Sequence, residues 1–118
     1  MGFQKSFSYF EKKQLHKFRN DLNNAKDIVE LSNVFALNVY DLLSEAVDFK
    51  IEDNDVTFAP SEKKFFKCSS NLLENQHFEA LTECSDIENI IHRFAVATYD
   101  RYVKIQKNNS KTNKKIRA

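Results

Sequence analysis

One glycine and one proline in 118 residues, Gly2 and Pro60, leave this chain few places to turn sharply. Tight hairpins, bulges and glycine-rich phosphate loops need residues free to take positive φ, and a multi-turn β-sandwich needs many of them. The shortage favours helices. With 42% hydrophobic residues and 11 Phe, the chain carries enough apolar mass to bury one core at single-domain length. The expected fold is mainly α: one domain of four or five helices over residues 1–105, with a short β-hairpin near residues 47–59.

Helical periodicity places the elements. Ser8-Tyr9-Phe10-Glu11 has the form of a capping box, and Leu15, Phe18 and Leu22 follow at helical spacing, so a first helix is predicted from about Tyr9 to Leu22. From Ala25 to Val47, Ile28, Leu31, Phe35, Asn38, Leu42 and Ala46 form one stripe, which Val29, Val34, Leu37 and Leu43 broaden. A face that wide implies packing on two sides, by one long helix or by two helices parted near Asn38. Val47, Phe49 and Ile51 alternate with Asp48, Lys50 and Glu52, and Asp55 to Phe58 alternate again after Asp53-Asn54, which reads as a hairpin ending at Pro60. Phe65 and Phe66 fall on a short helical turn in this reading, and Asn71 caps a helix to about Thr82. A second capping box, Ser85-Asp86-Ile87-Glu88, opens a last helix that carries Ile87, Ile91, Phe94, Thr98 and Ile105.

Charge divides the chain in two. Residues 1–100 hold 11 Lys and Arg against 17 Asp and Glu, a net of −6, whereas residues 101–118 hold seven basic residues and no acid. The segment 106–118 is Lys, Asn, Ser and Thr around one Ile, too polar to offset the entropy of ordering, and is expected to be a disordered basic tail. An acidic body would be repelled by phosphate that the tail attracts.

Few residues are arranged for chemistry. Glu74 and His77 share a helical face, but a carboxylate-bridged metal pair needs a second such motif and two further carboxylates, and His92 follows Glu88 by four rather than three. The run Glu52-Asp53-Asn54-Asp55 lacks the Gly and final Glu of a calcium loop, where Phe58 and Lys64 stand. Cys68 and Cys84 have His77 and His92 as conceivable bases, with residue type alone to link them. No catalytic residue, cofactor or metal is therefore expected. The lone cysteines, the lack of a secretory pattern before them and the lack of an apolar run of about 18 to 20 residues point to a reduced, cytoplasmic chain outside the membrane.

Glu30-Leu31-Ser32-Asn33-Val34-Phe35-Ala36-Leu37-Asn38-Val39-Tyr40-Asp41-Leu42-Leu43 resembles, over about 14 residues, the last two helices of lambda-repressor-like helix-turn-helix domains. That resemblance implies a DNA-reading pair of helices upstream, and the 29 residues before it hold no recognisable one. A recognition helix over residues 38–48 would present Asp41, Glu45 and Asp48 to phosphate and no basic residue. Two expectations for function remain. The first is a non-catalytic protein that acts by binding another protein, or itself as a homodimer, through aromatics too crowded for one core: Phe3, Phe7, Tyr9, Phe10, Phe65 and Phe66. The alternative is a nucleic-acid-associated regulator of winged-helix type. It would use the first helix and the tail residues Lys104, Lys107, Lys111, Lys114, Lys115 and Arg117.

Overall fold

A computed structural model describes residues 6–117, with side chains through residue 107. The elements run α1 (Ser8–Asn24), α2 (Ile28–Ala46), β1 (Val56–Phe58), β2 (Phe66–Cys68), α3 (Ser70–Leu73), α4 (Gln76–Cys84) and α5 (Ile87–Arg117). The chain is mainly helical, with a two-stranded antiparallel sheet and one core. α2 lies at the centre and packs against α1, α5 and β1. Its inner stripe, Leu31, Phe35, Asn38, Val39, Leu42 and Leu43, is buried and meets Phe18 of α1 and Ile87, Ile90, Ile91 and Phe94 of α5 within one core. Phe18 and Phe94 stack across α1 and α5 with ring centroids 4.3 Å apart and planes 11° from parallel.

α2 is one unbroken helix, which settles the choice left open at Asn38. Asn38 is fully buried and does not cap anything. Its Nδ2 donates to the Val34 carbonyl at 2.8 Å and to Asp21 at 3.2 Å, while its Oδ1 accepts from Gln14 Nε2 at 2.7 Å. A polar side chain at the α1–α2 seam is tolerated because each of its groups is paired.

The hairpin pairs different segments from those the alternation suggested. β1 pairs with β2 in the register Val56–Cys68, Thr57–Lys67 and Phe58–Phe66, whereas residues 47–51 are irregular and Pro60 lies inside the connection. Asp55 fixes both ends of this unit. One carboxylate oxygen accepts the Ser69 hydroxyl at 2.7 Å and the other accepts the Glu52 amide at 2.8 Å. Phe65 is not helical; it sits at φ 69° between the connection and β2. The single helix expected from Asn71 to Thr82 is two short ones, capped by Ser69 and Asn75, whose side chains accept the Leu72 amide and the His77 and Phe78 amides.

Neither capping box closes as expected: tertiary partners take the acids, while Ser8 meets the Ser6 hydroxyl at 3.0 Å and Ser85 accepts the Ile87 amide at 3.2 Å. Phe7 occupies the cap position of α1 without a side-chain hydrogen bond, and Glu11 instead forms a bidentate pair with Arg93 of α5 at 2.7 and 2.8 Å. Asp86, one residue beyond the expected Ser85, immediately precedes α5; its carbonyl accepts the Ile90 amide at 3.0 Å and its carboxylate accepts the Phe7 amide at 2.8 Å. Glu88 turns outward to Lys64. α5 continues to Arg117, so the backbone from residue 106, expected to be disordered, is helical; no Gly or Pro interrupts it. Ile105 is buried. Among the described residues no helix is long and apolar enough to cross a membrane.

Candidate functional site

The six aromatics singled out by crowding divide once they are folded. Phe7 is buried in the core, while Phe10, Phe65 and Phe66 are half-buried and packed against it. Phe10 lies 6.1 Å from the Phe7 ring and Tyr9 meets it edge-on at 5.3 Å. Phe65 stacks flat on Tyr99 at 4.2 Å and 9°. Tyr9 stands 68% exposed. Phe3 lies outside the described residues.

A different surface presents exposed apolar side chains at helical spacing. Ile28, Val29 and Leu37 emerge from the outer side of α2, Val29 at 70% and Leu37 at 50% exposure. Positions 29, 33 and 37 lie four apart and form one line down the helix, with Asn33 between the two aliphatics. Clefts of about 300 and 310 Å³ flank this line. The first is lined by Ala36, Leu37, Asp53 and Phe58 among others, the second by Asp21, Ala25, Glu30 and Val34. The breadth of the α2 stripe was legible in the sequence, but one flank of it is packed and the other is open. The spacing of Val29 and Leu37 was the available signal.

The possible chemical groups are dispersed or committed. Cys68 is half-buried, and burial, together with the nearby Glu88 and Asp55 carboxylates, pushes its thiol up to about 11, which disfavours the nucleophilic thiolate. Cys84 is exposed and its thiol donates to the Ala80 carbonyl at 2.7 Å. His77 stacks against Phe49 at 6.0 Å, and His92 contacts the Lys64 carbonyl through Nδ1 at 3.1 Å. Among the described residues no three His, Cys, Asp or Glu side chains are grouped to hold a metal ion.

Basic residues of the first helix and the root of the tail do meet. Arg19, Arg101 and Lys104 line a cleft of about 240 Å³ together with Asp100. Arg101 is committed there: it donates to the Asn23 and Ala25 carbonyls at 3.2 and 3.1 Å, supplying the cation that the last turn of α1 lacks. Lys104 and Lys107 are exposed; the side chains of Lys111, Lys114, Lys115 and Arg117 lie outside the described residues. Two helices, not three, precede the hairpin, so the element order is not that of a winged helix, and residues 38–46 belong to the buried central helix.

The chain matches no family model, no curated protein and no solved structure.

Proposed function

We propose that this is a small non-catalytic protein of the cytoplasm that acts as an adaptor, regulator or inhibitor by binding another protein. The observation that carries the reading is the exposed line of Val29 and Leu37 on α2, with Ile28 at its head and a cleft on either side. Leaving large aliphatic side chains in water forfeits roughly 1.5–3 kcal/mol for each that could be buried, and a partner recovers it. The face has an acidic border, with Asp27 and Glu30 at the start of α2 and Asp53 across the groove. Its partner is therefore a polypeptide that offers apolar side chains flanked by cations. The unpaired thiols Cys68 and Cys84 suit a reducing compartment.

A photo-crosslinking residue at position 33 tests this in the cell of origin. One dominant adduct is expected, lost in the V29S/L37S double variant, whose stability should stay within about 0.5 kcal/mol because both side chains are exposed. No adduct, or an adduct indifferent to V29S/L37S, would overturn the reading.

A nucleic-acid-associated role is the second reading, supported by the meeting of Arg19 and Lys104 at the base of the basic segment. It expects affinity for nucleic acid that falls steeply with salt and falls further in R19E/K104E.

A further inference from the structure

A cleft of about 510 Å³ lies where two helices end. It is lined by Glu45, Ala46, Val47 and Asp48 at the end of α2 and by His77, Ala80, Leu81 and Cys84 of α4. Both helices point the negative ends of their peptide dipoles at this region, and neither has a basic residue in its last turn. The Cys84 thiol and Ser85 hydroxyl take the Ala80 and Leu81 carbonyls but bring no positive charge. Glu45 shares one oxygen with Lys13 at 3.1 Å, an exposed pair that contributes little, and Asp48 has no ion-pair partner among the described residues. The walls are apolar at Ala46, Val47, Ala80 and Leu81. A cation on an aliphatic stem, or cations flanking an aliphatic side chain, would satisfy both features.

We infer that this cleft receives the basic segment Lys114-Lys115-Ile116-Arg117 of a second copy of the chain. The segment has that chemistry: three cations around one isoleucine. Charge complementarity extends to the whole molecule, since residues 1–100 carry a net of −6 and residues 101–118 seven positive charges. Geometry directs the contact to another copy. Cys84 in the cleft stands three residues before Ile87, where α5 begins, and the basic segment lies at the other end of that 31-residue helix. At 1.5 Å per residue the two are about 45 Å apart, so a continuous α5 carries the segment away from its own cleft. Two copies with antiparallel α5 helices bring each basic segment to the other's cleft, and this reciprocal exchange closes a twofold dimer instead of an open chain. The contact uses neither Val29 nor Leu37, so it stands or falls independently of the α2 face.

Sedimentation velocity on the full chain, freed of nucleic acid, over a wide concentration range and at low and high salt, tests the exchange. A dimer that dissociates with salt is expected. The tail-reversed variant K114E/K115E/R117E and the cleft-reversed variant E45K/D48K should each self-associate roughly tenfold or more weakly, as the loss of several interfacial ion pairs implies. Mixing the two variants should restore the dimer, because each acidic tail then faces a basic cleft and each native tail a native cleft. The rescue also shows that both variants are folded. V29S/L37S should dimerise as the parent does. A monomer at every concentration, a dimer indifferent to salt and to both reversals, or failure of the mixture to associate while both variants retain their circular dichroism would each overturn the inference. So would a concentration-independent compaction lost in the tail-reversed variant, since that would place the segment on its own body.

Discussion

Among the described residues Phe65 is the one non-glycine at positive φ, and its ring makes a close stacking contact. At φ 69° its Cβ crowds the backbone, a conformation that costs a residue other than glycine about 1–2 kcal/mol. Its ring offsets part of this by stacking on Tyr99 of α5 at 4.2 Å, with the His92 ring beyond at 6.5 Å, and stacked aromatics contribute about 0.5–1.5 kcal/mol beyond burial. Removing the ring should therefore expose the backbone preference. Phe65→Gly is expected to be more stable than Phe65→Ala by about 1 kcal/mol in urea unfolding, the reverse of their order within a helix or strand. An alanine variant as stable as the glycine variant would show that the left-handed conformation is not held. Nothing in the residue string marks Phe65 for this role, since a left-handed turn normally announces itself with Gly or Asn. The same holds for Asn38. Its place on an apolar stripe was legible, but two of its three hydrogen bonds go to Gln14 and Asp21 of another helix.

Between elements, polar side chains serve tertiary contacts that local pattern cannot anticipate. The existence of α1, α2 and the start of α5 followed from apolar spacing, because a 3.6-residue period is a property of the segment itself. Glu11, Asp86 and Glu88 sit where capping boxes put acids, yet they bind Arg93, the Phe7 amide and Lys64, which come from distant parts of the chain. Strand pairing departs from the local alternation for the same reason: alternation at residues 47–51 and 55–58 belongs to each segment, but the partner of β1 is β2, held by the buried Val56 and Phe58 and the Asp55 clamp. The α1–α2 seam yields a pH prediction. Asp21 is held below the ordinary carboxylate range, first by its hydrogen bond from Lys17 and then by that from Asn38. Its depressed native value means that ionised Asp21 favours the folded state at pH above the unfolded value of about 3.9, and that this contribution is lost as pH falls through the lower native value. A side-chain NMR titration should find Asp21 below an ordinary aspartate and closer to it in Lys17→Ala. The stability advantage of the parent over Asp21→Asn should be present near neutrality and vanish in acid. An Asp21 titration unmoved by Lys17→Ala would reject this account of the seam.

The whole molecule is held by one core, and that core has a definite end. Phe18, Phe35, Phe58 and Phe94 link α1, α2, the hairpin and α5, and Tyr102 meets Phe58 edge-on at 5.9 Å. Because Phe58 touches both Phe35 and Tyr102, the hairpin cannot detach without opening the faces of α2 and α5 that it covers. Unfolding should therefore be a single transition, with the near-ultraviolet signal of the tyrosines, among them Tyr99 and Tyr102 of α5, coincident with loss of helix in the far ultraviolet. Phe94→Ala removes one ring of the Phe18 stack and should cost about 3–5 kcal/mol, a large share of the roughly 5–15 kcal/mol that a domain has in total. Ile105 is buried, while Gln106 and Lys107 are exposed. A chain ended after Lys107 should therefore melt within about 2 °C of the full chain when both are monomeric, since a solvated helical extension adds little to the core's stability. Two separate transitions would mean that the hairpin is a satellite of the bundle. A truncated chain markedly less stable than the full one would move the boundary of the domain past residue 107, and the basic segment would then belong to the fold instead of being available for a partner.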